Sequence, residues 1–344
     1  MNLSELKSRK SKKSTFWAGI IFFLIIFSAY LPVLFLDQTF QINTPISSEY
    51  LSNQNKDTLF GIVADYGMMG LWPDIKLSSK MILEGELPLW NPYVAIGYPL
   101  GADTTDHIFS PISLGFLLPV EFWDLPLLAI LWVAGFSMFL FLRNLGLNNS
   151  SSICGGIFYM LSGTFTWFMS HPGPFVMMVT PLILFSIDKV IKNNNPKYII
   201  LLSTSFALSI LGGHLQSLLL QFLLIILYFM YRIINILLIS KTSEINNSIK
   251  IRLNEISKST FRVSIGIIGG LGLTSFYVFY VLEFLQNGIL QNSLQYDTIE
   301  YNSLSITNLF TPYMLGDIIR TWTTNTEWTS PFGYLGIFAL FFSI

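Results

Sequence analysis

Seven apolar runs with almost no charge recur along this 344-residue chain, and nothing else constrains its fold as strongly. They cover 16–36, 125–142, 150–169, 172–187, 198–213, 215–231 and 263–282. Most approach the roughly 17 to 25 residues that an α-helix needs to cross the hydrocarbon of a bilayer. Backbone in lipid must satisfy its own hydrogen bonds, and runs of this length do so as helices. Charged residues are only 11% of the chain and mean hydropathy is +0.57, too apolar for a soluble domain to cover with polar surface. The expectation is an all-α, polytopic membrane bundle forming a single membrane domain over 1–344.

The distribution of charge orients that bundle. The first run follows Lys7, Arg9, Lys10, Lys12 and Lys13, an arrangement similar to a signal peptide, but it lacks a small-residue cleavage site and reads as a retained anchor. With the N-terminus inside and seven crossings, fifteen of the 19 Lys and Arg residues fall inside and sixteen of the 20 acids fall outside. Counting 108–120 as another crossing would move Arg143 and the nine basic residues after it outside, against the positive-inside rule. At about 13 residues, and with Pro111 and Pro119 inside it, that run reads as re-entrant or interfacial. The expected location is the plasma membrane, with a cytoplasmic N-terminus.

This threading gives a long external loop over 37–124, six further spans within 125–285, and a second external loop over 286–330. The final run, 331–344, is too short for a full crossing, so the last span reads as incomplete and the chain as truncated at its C-terminus. Loops as long as the first are usually functional or disordered, and its content of Trp, Tyr and apolar residues argues for order. Trp72-Pro73-Asp74 opens a helix over 73–84 that Gly85 closes, because Pro suits the first turn, Asp the positive helix end and Gly the left-handed position after it. Ile75, Ile82 and Leu83 share a face with Trp72, whereas Lys76 and Lys80 lie one turn apart on another. That pattern predicts an interfacial helix. Two prolines in Leu87-Pro88-Leu89-Trp90-Asn91-Pro92-Tyr93, then Gly97-Tyr98-Pro99-Leu100-Gly101-Ala102-Asp103, predict a compact, turn-rich segment leading to Asp106 and His107.

These stretches, with Asp65 eight residues before Pro73 and with Phe109-Ser110-Pro111, resemble the YfhO-type bacterial membrane proteins, relatives of the GT-C polytopic glycosyltransferases. Gly213-His214-Leu215-Gln216 and Gly333-Tyr334-Leu335-Gly336 are similar to patterns of the same family. The likeness covers about residues 60–344. It implies a GT-C-like bundle that transfers a sugar from a polyprenyl-phosphate donor to a cell-surface acceptor hydroxyl on the outer face.

Such a reaction needs a base for the acceptor hydroxyl, and Asp65 matches the family's acidic position in the first loop. Asp103 and Asp106 are the next candidates, as catalytic partners or as hard oxygen ligands for Mg2+ or Mn2+. The departing lipid phosphate needs donors or cations, and the outer side offers Lys76, Lys80, Arg320, His107, His171, His214 and Gln216. A histidine at a span end more often caps by bonding a free carbonyl than binds a ligand. The spacing of the three histidines matches no zinc motif. Gly266, Gly269, Gly270 and Gly272 fall within a span, where small residues serve close helix packing, and the single cysteine, Cys154, reads as a packing residue. No nucleic-acid partner is expected. Two other readings stand beside the transferase: a non-catalytic scaffold, and a transporter or flippase. The second would need broken or charged helices inside the membrane.

Overall fold

The computed structural model describes residues 3–35, 71–94, 96–102, 107–166, 169, 171–238 and 247–287. Among these residues the chain is helical, apart from turns and an isolated antiparallel bridge between Asn91 and Tyr98. The chain begins with α1 (Leu3–Ala29) and α2 (Leu31–Phe35), and the long loop contributes α3 (Trp72–Leu83). Short 3-10 turns over Pro111–Leu117 and Val120–Phe122 lead into α4 (Asp124–Leu145). Then follow α5 (Asn149–Met160), α6 (Gly163–Thr166), α7 (Pro172–Met177), α8 (Thr180–Lys192), α9 (Pro196–Ile210), α10 (Leu215–Leu238), α11 (Asn247–Leu273) and α12 (Ser275–Asn287).

The described parts of all seven apolar runs lie mostly on helix, but the helices are not equally long. Val120–Leu145, Pro172–Lys192 and Leu215–Leu238 are long and apolar enough to cross a bilayer. Arg252–Leu273 with Ser275–Asn287 makes a fourth if a helix pair bent by 69° counts as one span. Lys13–Ala29 and Pro196–Ile210 are apolar but shorter. The run 150–169 is divided at Leu161 and Ser162, before the glycine that starts α6. The segment 108–120 forms no helix long enough to cross: its Pro111 opens a 3-10 turn over Pro111–Leu117 and Pro119 precedes the next.

Pro172–Lys192 forms the centre of the bundle. In its most apolar stretch 72% is buried, against 17% for Leu215–Leu238, which therefore lies at the periphery of the described residues. Ile183 and Ile187 of α8 join Leu127, Leu131 and Phe139 of α4 and Phe22 of α1 in the apolar core. Small residues allow the closest approaches. A Cβ on Gly266 or Gly270 would come within 2.6 Å of Leu202 or 2.9 Å of Phe206, so α11 packs on α9 as the glycine pattern predicts, although Gly272 faces open space. Cys154 departs from its expected packing role and is exposed on α5.

The central span is continuous over Pro172–Lys192 but carries a two-residue turn at Met178 and Val179 between α7 and α8. Carbonyls beside that turn find side-chain partners: Gln221 Nε2 donates to Val176 O at 3.1 Å and Tyr159 OH to Met177 O at 2.7 Å.

Alternating connections give the bundle two ends. His171 and His214, which precede α7 and α10, meet at one end. Asn144 near the end of α4, Asp188 near the end of α8 and Arg232 near the end of α10 meet at the other.

Candidate functional site at the histidine end

The loop over 86–102 is fastened at both sides. Asp74, in the first turn of α3, is only 5% exposed and accepts from Asn91 Nδ2 at 2.8 Å and from the hydroxyl of Tyr98. Asn91 Oδ1 accepts from the backbone N–H of Tyr93 at 2.9 Å, and its backbone bridges Tyr98, so a single asparagine shapes the turn and ties it to the helix. Tyr280 of α12 reaches the carbonyls of Leu89 and Leu100 from the opposite side. Gly97 has φ +92, and a Cβ there would lie 2.6 Å from the indole of Trp90, so both its conformation and its neighbour require glycine. The Trp-Asn-Pro-Tyr and Gly-Tyr-Pro motifs thus act as a clasp.

The helix under the clasp starts and ends as its sequence predicts, with Pro73 and Asp74 in the first turn and Gly85 at φ +83 beyond its end. Its buried face differs from the expected one. Ile75 is buried, but Leu83 is 68% exposed, and Asp74, Ser78 and Ser79 take the remaining buried positions. The bonds from Asn91 and Tyr98 hold the Asp74 side of the helix inward. Lys76 and Lys80 are exposed as expected, and Lys80 makes only a long, open pair with Glu84 at 3.9 Å.

Three histidines from separate segments converge here. His171 and Phe175 stand one turn apart at the start of α7, and the ring of His107 stacks on Phe175 with 3.6 Å between centroids. Phe116 stacks on His107 at 5.8 Å. The ring of His214 meets that of His171 edge to face at 4.7 Å. Both of these histidines also cap: His171 Nδ1 accepts from Gly173 N at 3.1 Å and His214 Nδ1 from Ser217 N at 3.3 Å. An accepting Nδ1 places the hydrogen of each neutral ring on Nε2.

His107 is held differently: Ser113 Oγ donates to His107 O at 2.6 Å and lies 2.8 Å from His107 Nδ1. His107 is fully buried, and its Nε2 has no hydrogen-bond partner among the described residues. Burial also keeps the rings neutral. It lowers the pKa of His107 to about 3, with a smaller contribution from the nearby His171, and lowers that of His171 to about 4, with a smaller contribution from His214. His214 is shifted down by burial as well.

A polar thread continues from this cluster into the bundle. Ser217 Oγ lies 2.6 Å from His214 Nδ1, and one turn further along α10 the buried Gln221 donates to Thr180 Oγ1 at 2.7 Å and accepts from Ser209. The expected site residue Gln216 is exposed and stands outside this thread, because on α10 positions 217 and 221 face inward and 216 does not. Asp65, Asp103, Asp106 and Arg320 lie outside the described residues. Among the described residues, no group of three or more His, Cys, Asp or Glu side chains is arranged to hold a metal ion.

Sequence reasoning found the histidines but missed Ser113, Ser217 and Gln221, and gave Asp74 only a helix-end role. The spacing of Ser217 and Gln221, one turn apart on an otherwise apolar helix, was the available signal. It also missed the opposite end. There Asp188, with no exposure, is paired with Lys192 Nζ at 2.6 Å and Arg232 Nη2 at 2.7 Å and accepts from Asn144 Nδ2. Arg143, Lys189 and Arg262 belong to the same end, where Arg262 bridges to Asn194.

The architecture therefore defines a helical bundle with spans suited to a bilayer, a clasped loop and a histidine cluster at one end, and a buried ion network at the other. No known protein family, curated protein or solved structure matches the chain.

Proposed function

We propose that the chain is a membrane glycosyltransferase of the YfhO type, GT-C-like in fold, with its N-terminus cytoplasmic and its histidine end at the outer face of the plasma membrane. It moves a sugar from a polyprenyl-phosphate donor in the lipid bilayer to a hydroxyl of a cell-surface glycan or polymer. The supporting observation is the convergence of His107, His171 and His214 beside the motif-bearing clasp, opposite the end that gathers the basic residues. Polar groups gathered at span ends near one surface are the setting in which membrane enzymes handle polar substrates.

Direct displacement of the lipid phosphate by an alcohol forms a C–O bond at the anomeric carbon while the C–O bond to phosphate breaks, and the alcohol proton passes to a base. Asp65 is that base in this reading, with Asp103 and Asp106 as partners or ligands of a divalent cation. Positive charge for the departing phosphate comes from Lys76, Lys80 and Arg320, since rings held neutral by burial contribute hydrogen bonds and not charge. An open groove of about 720 Å3 between α1 and α4, lined by Phe16, Phe23, Trp132 and Phe136, contains none of the histidines.

A second reading draws on the 69° bend between Arg252–Leu273 and Ser275–Asn287 and on the buried Asp188. Discontinuous helices are a device of transporters and flippases. The test is release of polyprenyl phosphate from a labelled lipid-linked sugar by the purified full-length protein in lipid. The transferase releases it only with an acceptor present, and Asp65→Asn stops it. Translocation of the labelled lipid without release supports the flippase, and normal surface-glycan modification with Asp65→Asn supports a scaffold.

A further inference from the structure

We propose that the tip of the clasped loop, formed by Tyr93, Val94 and Ile96, inserts into the lipid leaflet at the histidine end and fixes the height of that end against the bilayer. The inference goes beyond the transferase reading and does not depend on it, because it needs only a bilayer around the spans.

The fastenings of the loop all lie at its base. Tyr280 holds the carbonyls of Leu89 and Leu100, Asp74 holds Asn91 and Tyr98, and Asn91 and Tyr98 bridge each other. Between those last two the chain turns back, with Gly97 N donating to Val94 O at 2.8 Å. What lies beyond the base is apolar and open. Tyr93 is 77% exposed, Val94 52% and Ile96 98%, and Leu87, Leu89 and Trp90 are exposed beside them. A cluster of exposed apolar side chains of this kind marks a contact with another protein or with a membrane.

Two features choose lipid. Backbone that enters a bilayer must satisfy its own polar groups. The N–H groups of Asn91, Tyr93, Gly97 and Tyr98 all find acceptors within the loop, and Pro92 and Pro99 have no N–H to satisfy. Charge is the second feature: none occurs from Leu87 to Ala102, whereas Glu84 and Glu86 just before are exposed. A protein interface surrounds its apolar centre with a polar rim and direct hydrogen bonds. Here polarity changes abruptly at Glu86, as it does where a segment leaves water. Trp90 and Tyr93 join an apolar ring to a polar end, the character of residues at a membrane surface.

The loop is also tied to a helix with a lipid-like exterior. Phe276 and Phe279, on the same helix as Tyr280, are exposed, and that helix belongs to the bent pair apolar enough to cross a bilayer. The face of α3 carrying Asp74, Ile75, Ser78 and Ser79 is turned into the protein, so the lipid contact that its sequence suggested passes to the loop it supports.

Spin labels test the insertion. With Cys154 replaced by serine, Ile96→Cys and, as a water-facing control, Glu86→Cys are labelled in the full-length protein, held singly in lipid nanodiscs. Collisions with oxygen, which concentrates in lipid, are compared with collisions with a water-soluble nickel complex. The expected result is several-fold less nickel contact, and more oxygen contact, at Ile96 than at Glu86. Equal nickel contact at the two positions overturns the inference. Low contact with both agents at Ile96 overturns it too, because the tip is then covered by protein. Where Ile96→Cys fails to fold, Tyr93→Cys carries the same comparison. Polyprenyl phosphate release is a separate readout, so this inference and the transferase stand or fall independently.

Discussion

The two ends of the bundle solve the problem of buried polarity in opposite ways. At the basic end Asp188 is charged and surrounded: Lys192, Arg232 and Asn144 converge on one carboxylate and join α4, α8 and α10. At the histidine end the rings stay neutral and are held by stacking and by capping bonds to backbone N–H groups. Ion pairs lock one end, whereas neutral ring contacts join the segments at the other.

The sharpest way to break that contrast is at the lock. Asp188→Ala leaves Arg232 and Lys192 facing each other without their shared anion, and removing one partner of a buried ion pair costs about 3–5 kcal/mol. We expect a large fall in thermal midpoint or folded yield in detergent, recovered in good part by Asp188→Leu combined with Arg232→Met. An equal loss in the double variant would mean that the network is not a matched set. The clasp comes next. Asp74→Ala removes the acceptor shared by Asn91 and Tyr98, and hydrogen bonds to a charged group are worth about 1.5–3 kcal/mol. Limited proteolysis within 86–102 should accelerate while the spans stay folded, and unchanged cleavage would show that Tyr280 alone holds the loop.

The third prediction is smaller and concerns pH. Histidines whose folded pKa is lowered bind a proton in the unfolded chain before they do in the folded one. Their stabilising effect is complete above the ordinary value of 6.5 and is lost as pH falls from there toward about 4 for His171 and about 3 for His107. Each such group contributes up to about 1.4 kcal/mol per pH unit inside that window. Between pH 6 and 5 the thermal midpoint should therefore fall, and His107→Phe should make the fall shallower by one proton's worth. A slope that His107→Phe leaves unchanged would show that this ring titrates with solvent.

Much of this was legible in the sequence, for physical reasons that differ by region. Lipid imposes helix on long apolar runs, so the helices could be read directly, and Pro73, Asp74 and Gly85 marked the ends of α3 by local chemistry alone. The packing of Gly266 and Gly270 followed from side-chain size. Span length was less legible, because the divisions at 161–162 and 178–179 depend on partners such as Tyr159 and Gln221 that come from other helices. The same holds for the site. That His107, His171 and His214 share an end followed from counting crossings, but the stack on Phe175 and the clasp on Asp74 join segments far apart in sequence and have no local signature. Asp188 escaped notice because an acid beside lysines at a span end looks solvated until α10 brings Arg232 against it.

The account stands on the histidine end facing outward and the basic end facing the cytoplasm. With Cys154 replaced by serine, single cysteines at Gln216, exposed beside the histidine cluster, and at Lys197, exposed at the basic end, can be probed on intact cells with a membrane-impermeant maleimide. Labelling at 216 and protection at 197 until the cells are opened is the predicted result, and the reverse pattern would contradict it.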